Sequence, residues 1–132
     1  MALPAFDRDE FAAYPQQPHG GRLVNRVLTG AERDEALARA PHLPTIMIDL
    51  EAVITIEMIA TGVLSPNEGF MNEADYKSVL ERGRLANGLI WPVPLSFAPA
   101  GQRNSQVVRS LKVGQEVTLA DFWAGYEFEP DP

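Results

Sequence analysis

Proline and glycine interrupt this sequence so often that no long regular element can form. The chain holds 11 Pro and 10 Gly in 132 residues. Proline cannot donate in a helix or a central strand, and its ring clashes with the preceding helical turn. Glycine is the residue that closes helices and opens turns. The elements must therefore be short, and their borders can be read from the breakers.

Thr29, with Glu32 three residues on, forms a capping-box pattern that opens a helix over Ala31–Ala40. Ala36, Leu37 and Ala40 give that helix a narrow apolar stripe, and Pro41 stops it. Thr45–Asp49 follows Pro44 and reads as a short buried strand. Leu50–Ala60 is rich in Val and Ile, yet it is long for one strand and meets Gly62 where a helix would close. It is assigned as a helix buried on most sides. Glu73–Arg82 is the clearest helix, with Asn72 as its cap, Tyr76, Val79 and Leu80 on one face, and Gly83 at its end. Asn87-Gly88 marks a turn.

The pattern then changes. Trp91–Phe97 contains Pro92 and Pro94, which restrict it to an extended edge segment or a strand start. Residues 98–106 read as a polar loop. Val107–Lys112 and Gln115–Ala120 flank Gly114 and alternate as strands do. Helices first and strands later predict an α+β fold rather than an alternating α/β one.

The length fits one domain. Residues 1–17 form an N-terminal extension with Pro4 and Pro15 among Phe6, Phe11 and Tyr14, and the domain is expected over 18–130. Hydrophobic residues make up 45% and charged residues 22%, which excludes a disordered or collagen-like chain. Cysteine is absent, so disulfides, thiolate metal sites and a cysteine nucleophile are excluded. Ala52–Ala60, the most apolar stretch, carries Thr55 and Glu57 and is too short to span a bilayer. Asp7, Asp9 and Glu10 stand where a signal peptide would be basic and then apolar. A cytoplasmic location, with no membrane contact, is expected.

The formal charge is −7, which argues against a general nucleic-acid binder. The charge is unevenly spread, however. Lys77, Arg82, Arg84, Arg103, Arg109 and Lys112 face one acid, Glu81, in sequence, and form a candidate basic face for an anionic partner such as RNA. From Asp121 onward come Asp121, Glu127, Glu129 and Asp131, with no base among them, around Trp123, Tyr126 and Phe128.

Catalytic chemistry finds little support. His19 and His42 lie far apart with no acidic partner at metal-ligand spacing, and no phosphate loop or nucleophile elbow is present. No catalytic residue, metal site or cofactor is assigned. His19-Gly20-Gly21-Arg22, continued by Asn25 and Arg26, is the most specific local feature. Paired glycines can turn backbone N–H groups inward, and arginine can pair bidentately with an anion. These six residues form a candidate interface or anion loop. A tight turn requiring positive φ is the structural alternative.

Several segments taken together resemble the N-terminal domain of ATP sulfurylase (sulfate adenylyltransferase). They are Pro18-His19-Gly20-Gly21-x-Leu23-Val24-Asn25-Arg26, Ile59-Ala60-Thr61-Gly62 and Ser65-Pro66-x-x-Gly69-Phe70-Met71. Asp75-Tyr76-x-x-Val79-Leu80, Arg84-Leu85-Ala86-Asn87-Gly88, Trp91-Pro92-Val93-Pro94 and Gly114-Gln115-Glu116-Val117-Thr118-Leu119 follow in order. Each is weak alone; their joint order and spacing are specific, and they cover roughly residues 18 to 120. The resemblance implies a PUA-like fold, a small bent mixed sheet or pseudobarrel with packed helices. It implies that Leu50–Ala60 is a helix and that Ser65–Met71 is the loop between two helices, with Pro66 and Gly69 as φ constraints and Phe70 and Met71 as core plugs. In that family a separate catalytic domain makes adenosine 5′-phosphosulfate from ATP and sulfate. Its Gln-x-Arg-Asn-Pro and His-x-x-His motifs are missing here, and Gln102-Arg103-Asn104-Ser105 lacks the spacer and the proline. Asn67 departs from the usual Leu. The resemblance therefore implies a non-catalytic domain with a structural or associative role. Its expected partner is a protein, either a sulfurylase catalytic domain or a second copy. A free-standing PUA-like binder of RNA or another anion is the alternative.

Overall fold

A computed structural model describes residues 17–121. The N-terminal extension, apart from Gln17, and the aromatic, acidic segment after Asp121 lie outside the described residues. The chain opens with a 3-10 turn at His19–Gly21, then forms helix α1 (Gly30–Arg39), strand β1 (Thr45–Ile48) and helix α2 (Leu50–Ala60). Helices α3 (Glu73–Arg82) and α4 (Gln102–Ser110) precede strand β2 (Thr118–Asp121). The mixture is α+β as expected, although β1 precedes most of the helices and only β2 follows them.

The helix borders follow their caps. Asp49 accepts from the Ala52 N–H at 2.9 Å at the start of α2. Asn72 does the same for Asp75 at 2.9 Å on α3, and Gly83 closes that helix at φ 64°. Each satisfies an otherwise orphan helix-end group. At α1 the capping box does not form: Thr29 is the N-cap but makes no side-chain bond. Pro41 does not end the turn there either, since Ala40–His42 continues as a 3-10 turn with exposed His42.

The sheet consists, among the described residues, of β1 and β2 in parallel, with Ile46 opposite Leu119 and Ile48 opposite Asp121. No barrel is seen among these residues. A parallel pair needs a long crossover, and here most of the domain lies between the two strands. Thr118 anchors the return: its N–H donates to Pro44 O at 2.9 Å and its hydroxyl to Ala40 O at 2.7 Å. Arg39 adds a two-bond pair to Glu116, at 2.9 and 2.8 Å, outside the sheet.

Helix α4 corrects the sequence reading. Residues 98–106 and Val107–Lys112 were expected as loop and strand; Gln102–Ser110 is helical. The Val107-Val108 pair favours strand locally, but the helix puts Asn104, Val107 and Leu111 on one inward face. Asn104 is buried and bonds both Met47 backbone groups, accepting from N–H at 2.9 Å and donating to C=O at 2.8 Å. It also donates to Ala100 O at 2.8 Å. One amide thus completes the open edge of β1 as a neighbouring strand would. Strand β2 starts later than Gln115 because Glu116 is drawn to Arg39 and Gln115 closes back on Lys112 at 3.0 Å. Trp91–Phe97 forms no strand and bends at Val93; an isolated antiparallel bridge, Arg84–Ile90, lies just before it, and Leu95 O accepts from Met71 N–H at 2.8 Å.

The core is small. Val24, Ile46, Ile48, Ile59, Val79 and Leu85 are its buried apolar residues. Helix α2 is not buried on most sides: Ile59 is its one buried residue, while Leu50 and Ile54 are 57% and 47% exposed. Leu37 of α1 and Leu80 of α3, expected inside, are also exposed. Among the described residues these helices bury little: α1 has no buried residue, and α2 and α3 leave large apolar side chains exposed.

Candidate functional site

The residues of the glycine turn are brought together with the segment that joins α2 to α3. Gly20 and Gly21 adopt φ 77° and 84°, the left-handed region that glycine tolerates. The Gly21 N–H donates to Pro18 O at 2.8 Å. A Cβ on Gly20 would lie 2.9 Å from Leu89 Cδ2 and 3.1 Å from Pro66 Cγ, so the turn packs closely on both. His19 Nε2 lies 2.6 Å from Ile90 O, and its ring is 5.9 Å from that of Trp91. The Trp91 indole N–H is buried with no hydrogen-bond partner.

Arg22 is already partnered within the chain: its guanidinium donates to Glu68, on the joining loop. That hydrogen bond holds the Glu68 carboxyl below its ordinary range. Asn25 Oδ1 accepts from Val27 N–H at 3.2 Å, and the Arg26 backbone N–H donates to Ala60 O at 2.8 Å. The buried Ser65 hydroxyl receives the Val24 N–H at 2.9 Å and donates to Gly62 O at 2.7 Å. Segment 22–26 is therefore sewn to the end of α2. The glycine turn has positive φ at both glycines, and its arginine pairs with a carboxylate of its own domain.

An open cleft of about 830 Å³ lies beside this seam. Gly20, Arg22, Glu68, Met71, Asp75 and Asn87 are among its lining residues. Segments quoted above from four separate stretches of the sequence thus meet around one space. The loop 65–71 behaves partly as expected. The Ser65–Pro66 peptide is cis, and Phe70 stacks on Phe97 at 4.9 Å, but Gly69 does not take a positive φ. Asp75 is spent on the Ala86 N–H at 2.8 Å. A second groove of about 710 Å³ lies between the start of α2 and α4, lined by Phe70, Phe97 and Arg103 among others.

The six residues of the candidate basic face lie on several elements. Lys77 pairs with Glu73 one turn back on α3, Arg82 donates to Ser78 Oγ at 2.6 Å, and Arg84 donates to Gly88 O at 2.9 Å. Arg103 lines the second groove, Arg109 sits in the last turn of α4, and Lys112 follows it. No shared anion cradle is visible among them. Among the described residues, no group of His, Cys, Asp or Glu could hold a metal ion, and no helix is long and apolar enough to cross a membrane.

The feature that sequence reading missed is apolar. Leu23 is 64% exposed, Val63 67%, Val27 51% and Leu28 46%. Leu23 lies against the end of α2, since its Cδ1 would be 2.7 Å from a Cβ on Gly62, the residue before Val63. Among the described residues, fourteen large apolar side chains are exposed against six apolar residues buried. Periodicity could not have revealed this, since it reports a face and not what covers it.

Comparison with known proteins places these observations. A PUA-like domain family model matches residues 16–125. Sulfate adenylyltransferase of Symbiobacterium thermophilum is 45% identical over 104 residues, 79% of this chain and 25% of the relative. The enzyme of that name from Synechococcus elongatus is 46% identical over 104 residues, with the same two shares. That of Halothermothrix orenii is 40% identical over 103 residues, 78% of this chain and 26% of the relative. The chain spans about a quarter of the length of these curated relatives. It belongs to the PUA-like domain family, and the relatives it matches are sulfate adenylyltransferases, the enzymes whose N-terminal domain its motifs resemble.

Proposed function

We propose that this domain serves sulfate activation without performing it: a non-catalytic PUA-like domain that associates with the part of a sulfate adenylyltransferase that joins ATP and sulfate. The exposed apolar side chains of Leu23, Val27, Leu28 and Val63 carry this reading. Exposed apolar surface of this kind, where it clusters, marks an association site. Arg22, the neighbour of Leu23, is engaged by Glu68 of the same domain. Among the described residues, Glu68 and Asp75 of the cleft are both engaged in hydrogen bonds within the domain, and no group could hold a metal ion.

The test is titration of this chain against a sulfate adenylyltransferase catalytic region prepared without its own PUA-like domain. A complex is expected, and Leu23→Asp or Val63→Asp should weaken it by about tenfold or more, as loss of an apolar interface anchor does. Absence of any complex overturns the association. The pure chain should release no pyrophosphate from ATP and sulfate; prompt release would overturn the non-catalytic reading.

A further inference from the structure

Asn87-Gly88 is the one asparagine–glycine pair in the sequence. Both residues are exposed, and Asn87 lines the cleft. Such a pair is chemically labile. The Gly N can attack the Asn Cγ, forming a succinimide and releasing ammonia, and water then opens the ring to aspartate or isoaspartate. Asparagine is a thermolabile residue for this reason. Attack requires a free Gly N and a side chain able to swing over it.

Here both are occupied. The Gly88 N–H donates to Leu85 O at 2.9 Å, closing the turn. Asn87 Oδ1 accepts from Leu89 N–H at 3.0 Å, which holds the amide in one orientation and opposes its rotation into an attack geometry. Arg84 donates to Gly88 O at 2.9 Å and fixes the next peptide, Gly88–Leu89. Leu85 N–H to Leu89 O at 2.8 Å holds the two limbs together.

We propose that Asn87 is this domain's deamidation site, and that the Arg84-latched turn restrains the reaction until it opens. The product would matter to the cleft. Isoaspartate inserts one carbon into the backbone, so the Leu85–Gly88 closure is lost beneath Leu89, the side chain against which Gly20 packs. Either product also adds a carboxylate to a wall that already holds Glu68 and Asp75.

The test is incubation of the full chain in mild alkali, folded and in urea, with peptide mapping by mass spectrometry. Conversion should appear at Asn87 before Asn25, Asn67, Asn72 or Asn104. It should be slower by about tenfold or more in the folded chain, because reaction then awaits local opening. Arg84→Ala, checked for retained fold by circular dichroism, should raise the folded rate toward that in urea. Equal folded and urea rates, or earlier conversion of another asparagine in the folded chain, overturns the proposal. If Arg84→Ala fails to fold, the comparison in the unmodified chain decides alone.

Discussion

The seam between segment 18–26 and the end of α2 and the edge between β1 and α4 are built by opposite means. At the seam, backbones meet: Gly20, Gly21 and Gly62 hold positive φ values, and Gly62 has no room for a side chain against Val24 O. At the β1 edge, a single side chain does the joining, as the buried Asn104 amide completes the Met47 backbone. The first kind of contact leaves a mark in the sequence, because glycine is the residue that fits. The second leaves almost none, because an asparagine inside a polar stretch looks like a surface residue.

Five substitutions would break or sharpen that contrast. Gly62→Ala should have the largest effect. Its Cβ would sit 2.4 Å from Val24 O, a backbone atom that cannot step aside, at a φ of 88°. A loss of about 3–5 kcal/mol is expected, read by urea denaturation. A loss under about 1 kcal/mol would mean that the seam can yield.

Asn104→Ala should follow, at about 2–4 kcal/mol, because it leaves the Met47 N–H and C=O unsatisfied in a part-buried edge. Hydrogen exchange at Met47 should rise in parallel if the protein remains folded. Unchanged protection there would show that the edge is closed by something other than this amide.

Gly20→Ala and Gly21→Ala separate conformation from crowding. Both glycines have positive φ, but nothing lies within 4 Å of a Cβ on Gly21. Gly21→Ala should cost about 1–2 kcal/mol, the ordinary left-handed penalty. Gly20→Ala should cost more, as Leu89 and Pro66 must also shift. Equal melting midpoints would show that the turn is not packed on the Pro66 loop.

Glu116→Gln should have the smallest effect and the clearest pH signature. Its bond to Arg39 lowers the Glu116 carboxyl pKa and raises that of Arg39. A lowered carboxyl stabilises the fold above the ordinary glutamate value of 4.5, and that contribution is lost as pH falls through the lowered one. Both groups are exposed, so the gain is modest. The parent should lose stability over that acid range slightly more than Glu116→Gln does. Identical pH profiles would make the pair ornamental.

Much of the fold was legible where local chemistry decides it. Helices α2 and α3 fall on their expected residues, because Asn72, Gly62 and Gly83 mark ends whatever surrounds them. Strand β1 ends one residue short of expectation, as Asp49 turns to cap α2. Helix α4 was illegible because Val107 and Val108 favour strand, and only the packing of Asn104 against Met47 selects the helical face. The tight turn at Gly20 and Gly21 was legible from the paired glycines, which both take positive φ. Its arginine was open to an external anion in sequence, and the fold answers with Glu68, a residue 46 positions away.

What the sequence determined by itself was punctuation and kinship. Proline and glycine geometry is a property of single residues, and ordered motifs need no coordinates to be recognised. Tertiary structure alone decided the parallel pairing of β1 with β2, the internal partner of Arg22 and the exposure of Leu23 and Val63. Each of these depends on which distant segments meet. Burial and pairing are properties of that meeting, and no local pattern carries them.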